Sequence, residues 1–280
     1  MMLILRKKRR LLLVGVITAF IAFIGMIGTI IYGRWESSLL ECNQINIPEE
    51  TLPGLKGLRI LVISDIHDDD QQLIKAVNEG LKQKPDIAFV LGDVIHASGR
   101  TSRTRRLIEP LKKLAEEVPT YACLGNHDME KLDTVLHILS SSGIRILRNE
   151  AISIPCPRLG KKMTIAALGD WWECDSFPER CLEKTGGENK DPVILLSHNP
   201  AGRNEAKDFS WNLMLSGHTH GGQLRYPFTN KAVFHREGES LTEGLHLPSP
   251  GKSVFVTRGI GTALNLRFNC PPEFNILVVH

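Results

Sequence analysis

Two hydrophobic patterns alternate along residues 58–143. Continuous apolar runs such as residues 58–63 (LRILVI) are typical of strands buried on both faces of a sheet. Between such runs, apolar residues recur at helical spacing, as at positions 73, 74, 77 and 81, where Pro85 then closes the segment. The pattern predicts strands in 58–67, 87–93 and 120–128 and helices in 69–86, 102–117 and 130–143. Strands that alternate with helices indicate βαβ units and a largely parallel sheet.

From residue 144 onward the pattern becomes rich in strands and poor in helices. The predicted strands are 144–149, 163–170, 191–200, 211–220, 253–261 and 274–280. We expect these strands to form a second sheet packed on the first, with helices outside. Residues 221–252 contain scattered Gly and Pro, and this stretch is predicted to be a loop over the site.

The N-terminus differs from the rest of the chain. Residues 6–10 (RKKRR) precede residues 11–32, which carry no charge and would span roughly 33 Å as a helix, enough to cross a bilayer. A cleaved signal peptide is the rival interpretation, but its apolar stretch is normally shorter and ends in a small-residue site. We therefore predict an anchor in residues 1–33, a connector in 34–57 and one catalytic domain in 58–280. The basic cluster predicts that this domain lies on the extracytoplasmic side of the cell's inner or plasma membrane.

Charge and composition exclude several classes of function. The 280 residues carry a formal net charge of +3 and 6% aromatic residues, which gives no indication of a nucleic-acid groove. No C-x-x-C or G-x-S-x-G motif occurs, which argues against a zinc ribbon, a thioredoxin-like site and a serine esterase. The sequence leaves the oligomeric state open.

Polar side chains recur immediately after buried strands. They are Asp65 and His67, then Asp93, then Asn126, His127 and Asp128, then His198, and finally His218 and His220. Carboxyl ends of strands in α/β sheets converge on one crevice, so these residues are candidates for one site. A single histidine after a strand is more often structural than a ligand, but this recurrence makes coincidence a poor explanation.

The donor chemistry points to two metal ions. Imidazole nitrogen, carboxylate and one carboxamide oxygen suit Mn²⁺, Fe²⁺, Co²⁺ or Zn²⁺ better than Mg²⁺ or Ca²⁺. The candidates are too many for one catalytic zinc, which usually takes three protein ligands. Two ions roughly 3.5–4 Å apart, bridged by a shared carboxylate, would use all of them.

The order D-x-H, G-D, G-N-H-D, isolated His, G-H-x-H resembles the calcineurin-like metallophosphoesterases over residues 58–280. The apolar N-terminus and the segments CLGNHD, GHTHGGQLRYP and LRFNCPPEFNIL look like the exported or membrane-anchored bacterial phosphodiesterase subgroup. That subgroup includes enzymes described as acting on UDP-diacylglucosamine-type lipids. The resemblance implies a four-layer α-β-β-α sandwich of the α/β class, preceded here by the transmembrane helix.

The resemblance also implies roles for individual residues. One ion would be held by Asp65, His67, Asp93 and His220, and the other by Asp93, Asn126, His198 and His218. His127 would sit over the scissile phosphate as a catalytic residue, and Asp128 would orient its ring. Many relatives read G-D-x-x-D, whereas Asp93 here precedes Val94, Ile95 and His96. His96 is first interpreted as a solvated loop residue.

The expected activity is hydrolysis of a phosphodiester by a hydroxide activated at two divalent ions (Mn²⁺, Zn²⁺ or Fe²⁺). A lipid-linked phosphodiester is one candidate substrate. A UDP-diacylglucosamine-type pyrophosphatase is the alternative, and a non-catalytic metal-binding scaffold is the third possibility. Gln223, Arg225 and Arg258 follow motif strands and are weaker candidates for phosphate contacts, since surface Arg and Gln are usually solvated.

Overall fold

The computed structural model describes residues 2–96, 101–156, 159–183, 191–233, 241–262 and 265–280. The helices are α1 (Met2–Ser37), α2 (Asp70–Lys82), α3 (Thr101–Glu117), α4 (Asn126–Met129), α5 (Leu132–Ser141) and α6 (Gly202–Glu205). The strands are β1 (Glu41–Ile47), β2 (Arg59–Ile63), β3 (Ile87–Val90), β4 (Thr120–Ala122), β5 (Arg145–Ile146), β6 (Glu150–Pro155), β7 (Lys162–Ala167), β8 (Val193–Leu196), β9 (Leu213–Ser216), β10 (Gly244–Ser249), β11 (Lys252–Val256) and β12 (Glu273–Val279). Each helix predicted between residues 69 and 143 is present.

The strands form two six-stranded sheets. The first has the order β1-β12-β2-β3-β4-β5, and the second has the order β10-β11-β9-β8-β7-β6. In the first sheet β2, β3, β4 and β5 are parallel. The βαβ pattern predicted this for β2, β3 and β4. In the second sheet β7, β8, β9 and β11 are parallel, and β6 and β10 pair antiparallel at the two edges.

The two sheets pack face to face, with helices on the outside. Inward-facing side chains of both sheets, such as Phe89 and Leu277 from the first and Ile165 and Leu215 from the second, form one fully buried apolar layer. A second apolar layer packs the first sheet against α2, α3 and α5. A third covers the outer face of the second sheet with the segment around α6 and Trp211. The predicted α-β-β-α order is therefore present, with a thin fourth layer made of short helical turns.

Two sequence predictions about chain organisation are wrong. The predicted connector contains β1, which pairs in parallel with β12 from Glu41↔Glu273 to Ile47↔Val279 and so belongs to the folded domain. Two strands predicted for the second sheet instead lie in the first: β5, parallel to β4, and the final strand β12, antiparallel to β2. The pairings of β12 with β1 and β2 join segments far apart in the chain, so no local pattern indicates them. The edge strands β6 and β10 were also not predicted.

Helix α1 is the candidate membrane anchor. Within the described part of the chain, the segment Arg10–Ser37 alone is long and apolar enough to cross a membrane, with a mean hydropathy of 2.6 in a window that has no buried residue. Its last turn is nevertheless docked on the domain. Glu36 is buried, and its carboxylate accepts hydrogen bonds from the backbone N–H groups of Asn269 (2.8 Å) and Cys270 (2.7 Å). The helix therefore ends in a fixed contact with the sandwich.

Candidate metal centre

The predicted ligands lie at one edge of the sandwich, where parallel strands of both sheets end. Asp65 follows β2, Asp93 follows β3, and Asn126 opens α4 just after β4. From the second sheet, His198 follows β8, and His218 follows β9. Parallel strands aim their carboxyl ends at the same edge, so residues distant in sequence meet there.

The first group consists of Asp65, His67 and His220, whose ligand atoms lie within 4.8 Å of one another. Nε2 of His67 is 3.2 Å from Nε2 of His220, and Oδ1 of Asp65 is 3.6 Å from Nε2 of His220. Asp65 is fully buried and His67 is nearly so. Two imidazoles and one carboxylate therefore face a common point.

The second group consists of Asp93, His198 and His218. Oδ2 of Asp93 is 3.2 Å from Nε2 of His198 and 3.6 Å from Nε2 of His67 in the first group. One carboxylate oxygen therefore faces both groups. Nδ1 of His198 lies 2.7 Å from the carbonyl oxygen of Leu91, to which it donates, so that Nε2 is the nitrogen directed at Asp93.

The local backbone is unusual at these ligands. Asp65, His67, Asp93, His218 and His220 all adopt positive φ, between 47° and 70°. This left-handed region is costly for residues other than glycine, and such strain is concentrated at functional sites. Strand β9 ends before His218, so strand alternation is not what separates the two histidines of the G-H-x-H motif. Their backbone turn directs them into different groups.

Gly217 permits a close approach at the same place. A Cβ atom there would collide with Oγ of Ser64 and with Oδ2 of Asp65. The neighbouring backbone N–H of His218 donates to both carboxylate oxygens of Asp65, each at 3.2 Å. The turn after β9 therefore holds a ligand that comes from the other sheet.

Burial and mutual charge shift the pKa values of these groups. Burial lowers the pKa of His67 to about 3 and the pKa of His220 well below its ordinary value, so both imidazoles are neutral and offer a lone pair. Burial alone would raise the pKa of Asp93, but His198 and His67 hold it below its ordinary value. Burial opposes a charge on His198, yet the Asp93 carboxylate raises the pKa of His198 to about 10.

The residues fit divalent cations. Oδ1 of Asn126 is buried without a hydrogen-bond partner. Buried polar atoms are normally satisfied, so an unpartnered acceptor beside two buried carboxylates indicates a missing cationic partner. The mixed nitrogen and oxygen donors suit borderline ions such as Mn²⁺, Fe²⁺ or Zn²⁺. Asp93 would lie between two such ions.

His127 lies at the edge of the site and is partly exposed, with 29% of its side chain accessible. Its ring packs edge-on against His67 at 5.2 Å and stacks with His96 at 5.2 Å between centroids. Its backbone N–H donates to Oδ1 of Asp93 at 2.9 Å. The interpretation of His96 as a solvated loop residue is wrong, because its ring covers one face of His127. In the sequence, the only sign that His96 belongs to the site is its position three residues after Asp93.

The contacts of Asp128 differ from the predicted ring-orienting role. One carboxylate oxygen accepts from the backbone N–H of Val94 at 2.8 Å, and the other accepts from that of Gly125 at 2.9 Å. Nδ1 of His127 is buried without a hydrogen-bond partner, so Asp128 does not bind it. Burial and the Asp93 charge raise the pKa of Asp128 to about 7. Asp128 therefore ties the loops after β3 and β4 together, which positions Asp93 and Asn126.

The weaker phosphate-contact candidates bind protein groups instead. Arg225 pairs with Glu243, Arg258 pairs with Glu41 and Glu273, and Nε2 of Gln223 donates to the carbonyl oxygen of Leu266. These contacts engage part of each side chain, and Nε of Arg258 stays buried without a hydrogen-bond partner.

Two further residues of the site were not predicted. Trp172 is 41% exposed, and its ring lies edge-on to His218 at 4.5 Å. Arg267 is fully buried and donates to the carbonyl oxygens of Arg258 (2.7 Å) and Gly261 (2.8 Å), which follow β11. Neither has a local pattern that distinguishes it from an ordinary surface Trp or Arg.

The fold and site define a dinuclear metallohydrolase: an α/β sandwich with a buried carboxylate shared between two Asp/His groups. In agreement, the family described as calcineurin-like phosphoesterase matches residues 58–222. The chain belongs to this family.

Several relatives match most of the chain. Phosphodiesterase YaeI of Escherichia coli (strain K12) is 32% identical over 227 residues, covering 78% of this chain and 81% of that protein. UDP-2,3-diacylglucosamine pyrophosphatase LpxG of Chlamydia muridarum is 26% identical over 305 residues, covering 86% and 90%. A transmembrane protein with metallophosphoesterase domain from Danio rerio is 30% identical over 273 residues, covering 90% of this chain and 58% of that protein.

Proposed function

We propose that this chain is a membrane-anchored phosphodiesterase that hydrolyses phosphodiesters at a dinuclear metal site. The observation that carries the proposal is Oδ2 of Asp93, which lies 3.6 Å from Nε2 of His67 and 3.2 Å from Nε2 of His198. A buried carboxylate oxygen shared by two ligand groups is the arrangement that bridges two cations.

The proposed ligands divide between the two ions as the resemblance implies. The first ion takes Asp65, His67, Asp93 and His220, and the second takes Asp93, Asn126, His198 and His218. Two of the three donor groups at the site, Asp65–His67–His220 and Asp93–His198–His218, support this division, and the third joins His67 and Asp93 to His127. The unpartnered Oδ1 of Asn126 supports the carboxamide as a ligand. Mn²⁺, Zn²⁺ and Fe²⁺ are the ions that this donor set favours.

The bound ions would supply a water of lowered pKa and would neutralise the charge of the phosphoryl group. The chain itself supplies the proton for the leaving group. His127 is partly exposed beside His67, and its ring is held by His96 on one face, so a phosphate between the ligand groups would come within its reach. Protonated His127 donates to the leaving oxygen as the ester bond breaks, and the attacking water loses a proton to solvent.

The phosphodiester substrate is supported by the name of the similar Escherichia coli protein. A nucleotide-linked lipid pyrophosphate is the second candidate, which the similarity to LpxG and the apolar helix α1 favour. The two candidates differ in location. Residues 6–10 (RKKRR) favour an extracytoplasmic domain in the inner or plasma membrane, whereas a nucleotide-linked lipid precursor made in the cytoplasm would lie on the other side.

The test uses the full chain in detergent, stripped of metal and reloaded with Mn²⁺, Zn²⁺ or Fe²⁺. Bis-p-nitrophenyl phosphate, p-nitrophenyl phosphate and a UDP-diacylglucosamine are supplied in parallel, with bound metal counted for each preparation. Metal-dependent cleavage that favours the diester supports the proposal. Preference for the monoester overturns the substrate assignment, and release of UMP alone selects the pyrophosphatase. Two bound ions without cleavage of any substrate would indicate a binding scaffold.

A further inference from the structure

A short hairpin follows the G-H-x-H motif and projects from the domain. Its arms are joined by the Arg225↔Ala232 bridge and by backbone hydrogen bonds from Tyr226 to Lys231 (2.9 Å) and from Val233 to Leu224 (2.7 Å). We call residues 224–233 the hairpin. It begins four residues after the proposed ligand His220, and Nε of Arg225 donates to the carbonyl oxygen of Gly221 at 2.6 Å, so the base of the hairpin adjoins the metal centre.

The hairpin carries exposed apolar side chains. Phe228 at its tip is 99% exposed, Tyr226 is 53% exposed and Val233 is 39% exposed. The sequence of the hairpin (LRYPFTNKAV) has no acidic residue, and Lys231 is exposed beside the aromatic side chains. Exposed aromatic residues with a neighbouring cation are the composition that favours the interface of an anionic bilayer.

The hairpin lies next to the docked end of α1. Leu224 forms a bridge with Phe268, and the backbone N–H of Arg225 donates to the Phe268 carbonyl oxygen at 2.9 Å. The ring of Phe268 packs edge-on against Tyr32 of α1 at 5.2 Å. Near the tip, Nδ2 of Asn269 donates to Oδ1 of Asn230 at 3.3 Å. One segment, residues 265–270, therefore links the hairpin to the helix.

The same segment links α1 to the metal centre. Its backbone is held by Gly33, whose carbonyl oxygen accepts from the N–H of Arg267 at 3.1 Å, and by the buried carboxylate of Glu36. The Arg267 guanidinium reaches the carbonyl oxygen of Gly261, and more distantly (3.4 Å) that of His220. Because these donors and acceptors are buried, the helix, the hairpin and the site form one connected unit.

We propose that the hairpin is a second membrane contact, in which Phe228 and Tyr226 enter the bilayer interface beside α1 and hold the mouth of the metal centre at the membrane surface. The occupant is the lipid bilayer, because the hairpin adjoins the apolar helix that would cross it. The proposal rests on the proposed membrane anchor. Its consequence for the proposed function is that the natural phosphoester is carried on a lipid and reaches the site from the bilayer surface.

Contact with the bilayer is tested by fluorescence on the full chain in phosphatidylcholine–phosphatidylglycerol nanodiscs. An environment-sensitive maleimide is attached at Phe228→Cys, in a background where the exposed Cys42 and Cys174 are replaced by Ser. We expect a blue-shifted emission that nitroxide-labelled lipid quenches. If the label at Phe228→Cys shows the same emission as a label at the control position Leu247→Cys, and no quenching, the proposal is overturned.

The matched control is Leu247→Cys. Leu247 is 72% exposed and lies near Pro48 and Glu50, at the far end of β1. Since β1 begins beside α1 at Glu41 and extends through Ile47, Leu247 lies about 20 Å from the helix end at the usual rise of a strand. A label there should keep the emission of an aqueous environment.

A second measurement separates this proposal from the proposed function. Phe228→Asp and Leu247→Asp are compared on bis-p-nitrophenyl phosphate and on phosphatidyl-p-nitrophenol in the nanodisc, which carry the same leaving group. We expect Phe228→Asp to lower the rate of hydrolysis of the lipid about tenfold and to change the rate for the soluble diester by less than about twofold. Only the lipid reaction depends on insertion of the Phe228 ring into the bilayer. Equal losses on both substrates would contradict a membrane contact. If the unaltered chain cleaves neither substrate, the proposed function fails, whereas the fluorescence result still decides the contact.

Discussion

The interior of the sandwich and its metal-binding edge are equally buried but chemically opposite. In β2, Leu61, Val62 and Ile63 are fully buried apolar residues, and two positions later Asp65 is an equally buried carboxylate. In β8, Leu196 is followed closely by the buried His198. The interior is packed with apolar side chains on hydrogen-bonded strands, whereas the edge concentrates charge, positive φ and unpartnered polar atoms. The edge therefore needs something from outside the chain, and the interior does not.

The largest effect should come from Asp93→Asn, which neutralises the carboxylate that faces both ligand groups. We expect turnover to fall to background and at least one of the two ions to be lost, because a shared ligand supports both sites. Metal analysis and rate measurements on the reloaded chain check this. Asp69→Asn is the control, since Asp69 caps α2 and Asn is an equally good cap. Normal metal content in Asp93→Asn would remove the bridging role.

His127→Gln should separate chemistry from metal binding at the same edge. Both ions should remain, while turnover falls by about 10²–10⁴-fold, the usual contribution of a general acid. The loss should be larger for diesters with poor leaving groups, which need the proton. His137→Gln on the exposed face of α5 is the matched control. Unchanged rates for good and poor leaving groups alike would exclude His127 from the mechanism.

Phe89→Ala tests the other side of the comparison. Phe89 is fully buried between the sheets, and truncation of such a residue costs about 3–5 kcal/mol of the free energy of unfolding. Denaturant unfolding of the full chain in detergent measures the loss, while the folded protein should still bind two ions. Ile74→Ala, at a 43% exposed position on α2, should cost far less. A large loss of metal affinity in folded Phe89→Ala would show that interior and edge are not independent.

Metal alone should stabilise the folded chain by a smaller amount. A cation at about 100 times its dissociation constant stabilises the native state by about 2.7 kcal/mol for each site. Thermal unfolding with Mn²⁺ or Zn²⁺, against chelator, checks the shift. Phe89→Ala should keep most of this gain and Asp93→Asn should lose it. Identical unfolding midpoints with metal and with chelator would contradict metal binding at this edge.

Much of the fold and site was predictable because the relevant information is local. Residues 87–90 form a strand because a short apolar run suits a strand buried on both faces, and α2 forms because its apolar residues share one face. The aspartate and histidines after these strands were recognisable as ligand types by their place and chemistry. Asp128 was misjudged because its partners, the N–H groups of Val94 and Gly125, are backbone groups that no side-chain pattern reveals.

The sequence by itself determined the helices and the buried central strands, and which residue types after those strands are suited to bind a metal, because periodicity and residue type are properties of a short segment. Only the tertiary structure decided that β12 returns to the first sheet beside β1 and β2, and that Oδ2 of Asp93 faces two groups. It also decided that Glu36 docks the apolar helix on residues 269–270. The physical reason is that such contacts form between segments far apart in the chain, where packing and burial select the partner.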